Sequence, residues 1–164
     1  MRYEYRATIR WTGNLGSGTR EYRGYRRDHT IEITGKPPIF GTSGLAPGSD
    51  PARFNPDELL VAALSSCHML WYLHLCSDAG VVVVGYADEA EGTMETRPDG
   101  GGRFVGAVLR PRVTVSEGSV ELARRLHEEA HAKCFVANSV NVPVRCEPVI
   151  ERTIEDPPRG DATS

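Results

Sequence analysis

Polar and apolar positions along the chain divide it into segments of different period. Residues 2–12 mix aromatic, basic and β-branched side chains and stop at Thr12-Gly13-Asn14, which predicts a strand and a turn. The glycine-rich Gly13-Asn14-Leu15-Gly16-Ser17-Gly18 has no strand before it and helix after it of the phosphate-binding kind, so it reads as a turn. Residues 20–34 predict a strand or strand pair, with Ile31 and Ile33 alternating against Glu32. Residues 35–51, rich in Gly and Pro, predict a long loop of the kind that often carries function.

A helix follows. Asn55 is placed to cap it, Pro56 fits its first position, and Asp57 and Glu58 put acids in its first turn. It runs to about Gly80, and from Leu59 to Leu75 only Ser65, Ser66, His68 and His74 interrupt an apolar surface, which predicts burial on most sides. The interruptions leave apolar runs far below the ~18–20 residues of a membrane span. Tyr86–Thr96 and Arg103–Val115, joined through Pro98-Asp99-Gly100-Gly101-Gly102, predict a β-hairpin. Residues 119–133 predict a second, amphipathic helix with Ala123, Leu126 and Ala130 on its apolar face, and 144–154 a last strand. The order β-β-α-β-β-α-β predicts one α+β domain over residues 1–155, with a β-sheet around a long buried central helix. Residues 156–164 predict a disordered tail.

Composition sets the class. The 164 residues are 40% hydrophobic and 25% charged, as in globular domains, and the net charge of −3 offers no global attraction to nucleic acid or anionic membrane. Arg20, Arg23, Arg26 and Arg27 cluster locally, but Glu21, Asp28 and Glu32 interleave with them, so the stretch makes a poor nucleic-acid footprint. The start Met1-Arg2-Tyr3-Glu4-Tyr5-Arg6 has no apolar leader, so the cytoplasm is the expected compartment.

Four cysteines, Cys67, Cys76, Cys134 and Cys146, are the candidate chemistry. In a reducing compartment such residues are more often catalytic or metal-binding than structural bridges. Cys67 and Cys76 lie nine residues apart on one helix. That spacing means ~13.5 Å of rise and half a turn, too far for a disulfide. Cys146, in an alternating strand, and Cys76 read as structural. Cys134 closes the second helix, where the dipole does not favour a thiolate, so Cys67 is the better nucleophile of the two. Spacing alone does not show whether the two meet. His127, His131 and Cys134, at i, i+4 and i+7, fall on one predicted face and offer three ligands for a zinc-like ion. With no fourth ligand nearby, neither a metal nor any other cofactor is assigned. His68 and His74 read as core or interface histidines.

Three stretches together resemble the OsmC/Ohr family, the osmotically inducible and organic hydroperoxide resistance proteins. They are Arg53 to Cys67 (Arg-Phe-Asn-Pro-Asp-Glu-Leu-Leu-Val-Ala-Ala-Leu-Ser-Ser-Cys), Ala130 to Ser139 (Ala-His-Ala-Lys-Cys-Phe-Val-Ala-Asn-Ser), and the opening strand with Trp11-Thr12-Gly13. The resemblance implies an OsmC-like fold in an intertwined homodimer. It also implies a two-cysteine peroxidase, with Cys67 attacking an organic hydroperoxide and Cys134 resolving it, and a dithiol of lipoyl type as reductant. An assisting glutamate of the family falls on Asp57, one methylene shorter here, with Glu58 beside it as the other choice. The assisting arginine falls on Arg20, with Arg53 or Arg23 as substitutes. On a straight helix Asp57 stands ~15 Å from Cys67, so the resemblance implies that Asp57 serves the other subunit's cysteine. Leu64, Leu70 and Trp71 beside Cys67 favour an alkyl peroxide over hydrogen peroxide. The alternative on the same fold is a non-enzymatic thiol redox sensor or binding protein.

Overall fold

The computed structural model describes residues 1–44, 46 and 48–153, so the tail expected at 156–164 lies outside the described residues. The contacts within the chain fall into two units, Met1–Leu60 and from Val61 onward, described here in turn.

In the first unit, β1 (Thr8–Trp11), β2 (His29–Glu32) and β3 (Ile39–Gly41) form an antiparallel sheet in that order. Its register sets Ile9 opposite Ile31 and Thr30 opposite Phe40. The strands are shorter than the predicted 2–12 and 20–34, and residues 14–27 form a loop between β1 and β2 with bonds of its own. The Asn14 side chain accepts the N–H groups of Gly16 and Gly18 at 2.9 and 3.0 Å. The Arg27 guanidinium donates to the carbonyls of Tyr22 and Tyr25 and lies 4.3 and 4.2 Å from the centres of their rings. Conversely, β3 lies inside the predicted loop of 35–51. As an edge strand it tolerates Pro37 and Pro38 just before it, since no ladder bond is lost there.

The helix α1 (Pro56–Asp78) begins as its sequence predicts. Asn55 Oδ1 accepts the Glu58 N–H at 2.8 Å, and the Glu58 carboxylate accepts the Asn55 N–H at 3.0 Å, a reciprocal capping box. At the other end Gly80 takes φ +70°, and the Val81 N–H turns back to the Cys76 carbonyl at 2.9 Å, which closes the helix.

The second unit holds β4 (Val82–Asp88), β5 (Glu91–Thr96), β6 (Gly102–Leu109), β7 (Pro111–Glu117), α2 (Val120–Lys133), β8 (Val144–Cys146) and β9 (Val149–Arg152). They form two sheets, ordered β4-β7-β9 and β5-β6-β8, with β8 and β9 parallel to their neighbours. The single predicted hairpin and single last strand are therefore each broken in two, at Glu89-Ala90, Arg110 and Glu147-Pro148. Side chains hold the breaks together. The Asp88 carboxylate accepts the Arg110 N–H and the Ser65 hydroxyl, both at 2.6 Å, while the Arg110 guanidinium pairs with Glu91 at 3.0 Å and Glu147 at 3.5 Å. Asp88→Ala strands a half-buried amide and hydroxyl, and we expect it to cost about 2–3 kcal/mol in urea unfolding. Asp88→Asn, which keeps an acceptor, is expected to cost about half as much.

Ser119 caps α2 by accepting the Leu122 N–H at 3.2 Å. Ala123, Leu126 and Ala130 turn inward, as their spacing predicts, onto a core of Tyr72, Leu75, Cys76, Val113, Val115 and Ile150. On α1 the buried residues recur as Leu64, His68, Tyr72, Leu75 and Cys76, one stripe at helical spacing. Ala62, Ser66, Leu70 and His74 on the other side are exposed in the single chain. Burial on most sides is therefore not reached within one chain; the fold covers one stripe. Length and composition alone would let α1 cross a membrane, but its buried stripe belongs to the core and carries a fully buried His68.

Candidate active site

The second unit brings Cys67 and Cys134 together. Cys67 sits in the middle of α1, half-buried, on the side away from the core stripe. Cys134 sits one residue past α2, with backbone angles φ −67° and ψ 110° that leave the helix and turn its side chain under the segment that follows. Both are free thiols, and Cys67 is near enough to Cys134 to act on its ionisation. Cys134 also accepts the Ala137 N–H at 3.5 Å. Burial pushes the Cys134 thiol up to about 11, and the neighbouring Cys67 pushes in the same direction, so at neutral pH Cys134 keeps its proton.

Beside this pair lies a cavity of about 450 Å³. Ala63, Leu70 and Trp71 of α1 and Phe135 and Val136 after α2 give it a mostly apolar wall, with Cys67 in that wall. Phe135 meets Trp71 edge to face at 5.5 Å, and the Lys133 ammonium lies 5.7 Å from the Trp71 ring centre. Leu70 and Trp71 take the lining role their sequence position suggests. Leu64 does not: it is 2% exposed and turned into the core. Phe135 and Val136 were not among the sequence candidates, since only the chain's exit from α2 beside Cys134 aims them here.

The remaining candidates lie in the first unit or at its helical end. Arg53 is held by two acids, Asp50 at 3.5 Å and Asp28 at 3.8 Å, and lies 5.6 Å from the Phe40 ring centre. Asp28 is buried and accepts the Thr42 hydroxyl at 3.2 Å, so it is the fixed end of that pair. The sequence marked Asp28 only as an acid breaking a basic run; its burial comes from the β2–β3 pairing. Arg20 is exposed in the loop between Asn14 and Tyr25. The Glu58 carboxylate is occupied as the helix cap, whereas Asp57 is half-buried beside it.

The three ligands expected on one face of α2 are separated. Cys134 has left the helix for Cys67, while His127 points inward to His68, with 2.9 Å between His127 Nδ1 and His68 Nε2. His74 is exposed and lies 3.5 Å from Asp78.

A model of the family described as OsmC-like protein matches residues 48–148. The solved structure of an OsmC-like protein of unknown function from Vibrio cholerae is 32% identical and superposes with a TM-score of 0.81, over 90% of this chain and all of that one. The chain belongs to the OsmC-like family. Its α+β fold is the family's, with a long central helix and a second, shorter one. More distant OsmC-like folds include an organic hydroperoxide resistance protein from Legionella pneumophila (17% identity, TM-score 0.65, 91% of this chain and 97% of that one). Another is the organic hydroperoxide resistance protein OhrB of Bacillus subtilis (19%, 0.63, 90% and 98%). None of the curated proteins searched matches the chain. The family match spans Arg53, Asp57, Glu58, Cys67 and Cys134, while Arg20 lies before it.

Proposed function

We propose that this OsmC-like protein is a thiol-dependent peroxidase that reduces organic hydroperoxides. The nearness of the Cys134 thiol to Cys67, which lines an apolar cavity, carries the reading. A thiolate, not a thiol, attacks a peroxide. The Cys67 thiolate takes the terminal oxygen of ROOH, giving a Cys67 sulfenic acid and an alkoxide that leaves as the alcohol after gaining a proton. The Cys134 thiol then condenses with the sulfenic acid, releasing water and forming a Cys67–Cys134 disulfide. A dithiol of lipoyl type reduces that disulfide to two thiols and is itself oxidised to a cyclic disulfide. Cys134, protonated in the resting protein, suits the resolving role. The aromatic and aliphatic wall suits the alkyl part of the peroxide, which gains by leaving water.

The cation that favours the Cys67 thiolate is, on this reading, an arginine, because a guanidinium holds its charge at any working pH. Arg53, fixed by Asp28 and Asp50, is ordered for the task; Arg20 is the other choice. Asp57 is assigned the assisting acid, since Glu58 is spent on the helix cap. The exposed face of α1, with Leu70 63% accessible, supports a homodimer in which each Asp57 serves the partner's Cys67. Co-refolding inactive Cys67→Ser with inactive Asp57→Ala should restore activity through hybrid dimers; no recovery, or a monomer by sedimentation, rejects the shared site.

The direct test is steady-state consumption of t-butyl or cumene hydroperoxide with dithiothreitol or dihydrolipoamide. Multiple turnovers per chain, slower with hydrogen peroxide and with glutathione, support the assignment. A single equivalent consumed, with no turnover, marks a redox sensor instead.

A further inference from the structure

Behind the thiol pair, on the core side of α1, the second unit contains a cluster that the peroxidase reading does not use. His68 of α1 and His127 of α2 are 0% and 2% exposed, and Cys146 of β8 lies against both. His68 Nε2 and His127 Nδ1 are 2.9 Å apart, and Cys146 Sγ is 3.5 and 3.8 Å from them. We propose that His68, His127 and Cys146 form a second site, one that binds a zinc ion.

Geometry is the first argument. Tetrahedral zinc, with bonds of ~2.0–2.1 Å to nitrogen and ~2.3 Å to sulfur, sets its ligands about 3.3 Å (N to N) and 3.6 Å (N to S) apart. The triangle on the protein matches at the sulfur and must open by about 0.4 Å between the imidazoles. The two rings are nearly coplanar, 7° apart, with centres separated by 5.2 Å, so without an ion they meet edge to edge and share a proton. In that hydrogen bond one facing nitrogen donates and the other accepts, and the Cys146 sulfur lies against both. A cation engages all three donors.

Proton balance is the second argument. The outer nitrogens, His68 Nδ1 and His127 Nε2, have no hydrogen-bond partner, so either can carry the proton while the inner pair faces the ion. On binding, the shared proton moves to an outer nitrogen, both inner nitrogens become ligands, and Cys146 gives up its proton to solvent. One proton is released per ion, and the Cys146 thiolate and the two neutral imidazoles leave a site of net charge +1.

Access is the third. A cavity of about 350 Å³ reaches His127 and Cys146 and is lined also by Glu128, His131 and Arg124. It supplies an entry path, and water from it completes the tetrahedron. A two-histidine, one-cysteine set of this kind favours zinc over magnesium or calcium, which prefer oxygen ligands.

Cobalt(II) is the probe, because a thiolate bound to it gives a charge-transfer absorption and tetrahedral coordination gives intense visible bands. Protein stripped with a chelator should bind about one Co²⁺ per chain with both signatures, and Zn²⁺ should displace it. The Cys67→Ser/Cys134→Ser variant should keep the charge-transfer band, and Cys146→Ser should lose it while its circular dichroism stays native. X-ray absorption at the zinc edge of the wild-type protein gives a check that needs no variant, with one sulfur and at least two imidazole nitrogens expected. No cobalt bound, a band that survives Cys146→Ser or vanishes with Cys67 and Cys134, or a zinc shell without sulfur overturns the proposal.

Discussion

Replacing Cys67 by serine is expected to abolish hydroperoxide turnover while leaving the fold in place. A hydroxyl is not ionised at neutral pH and does not cleave an O–O bond, so the loss should be at least about a thousandfold, the order that removal of a nucleophile costs. Stability should hardly change. Cys67 is half-buried on the cavity side of α1, outside the stripe of Leu64, His68, Tyr72 and Leu75 that packs the core. A sulfur-to-oxygen change there falls in the range of surface substitutions, and the melting temperature should stay within about 2 °C of wild type. Turnover retained in Cys67→Ser would remove Cys67 from the mechanism whatever the fate of the other thiols.

Replacing Cys134 by serine separates the two half-reactions. Given one equivalent of peroxide and no reductant, the variant is expected to consume it, because Cys67 is intact. Without a resolving thiol the sulfenic acid persists, and a second equivalent of peroxide oxidises it to the sulfinic acid, read by mass spectrometry as gains of about 16 and then 32 Da on the peptide carrying Cys67. Cys134 is 1% exposed, so the serine hydroxyl enters a dry place and should cost about 1–3 kcal/mol. The kinetic comparison is therefore made well below the melting point of the variant. Undiminished multiple turnover in Cys134→Ser would assign resolution to another thiol, intramolecular or external.

How much of this was legible in the sequence depends on the range of the interactions involved. The start of α1 was readable because Asn55, Pro56 and Glu58 act within four residues of one another. The apolar face of α2 was readable from its period. The broken strands were not. Residues 103–115 read as one run, and what divides it at Arg110 is the carboxylate of Asp88, supported from α1 by Ser65. The strand Ile39–Gly41 was hidden by the glycines and prolines around it, and pairing with β2 makes it a strand.

The site shows the same division. The motifs around Cys67 and Cys134 marked both residues, but spacing left their meeting open, because the chain must pass through four strands and α2 before the second returns to the first. Helical arithmetic placed Cys134 on a face with His127 and His131 by continuing α2 to residue 134. The helix stops at Lys133, and that one residue moves Cys134 to Cys67. Cys146 read as structural and His68 as a core histidine; their position against His127 required three separate elements to come together.

The central claim, that Cys67 and Cys134 are the two ends of one redox reaction, is tested most directly by peptide mapping of the wild-type protein. The reduced protein is given one equivalent of t-butyl hydroperoxide, quenched with an alkylating agent and digested without reduction. The expected product is a single cross-linked species joining the Cys67 and Cys134 peptides, with Cys76 and Cys146 recovered alkylated. A disulfide from Cys67 to Cys76 or Cys146, or a Cys67 recovered as an alkylated thiol after the peroxide has been consumed, contradicts the account.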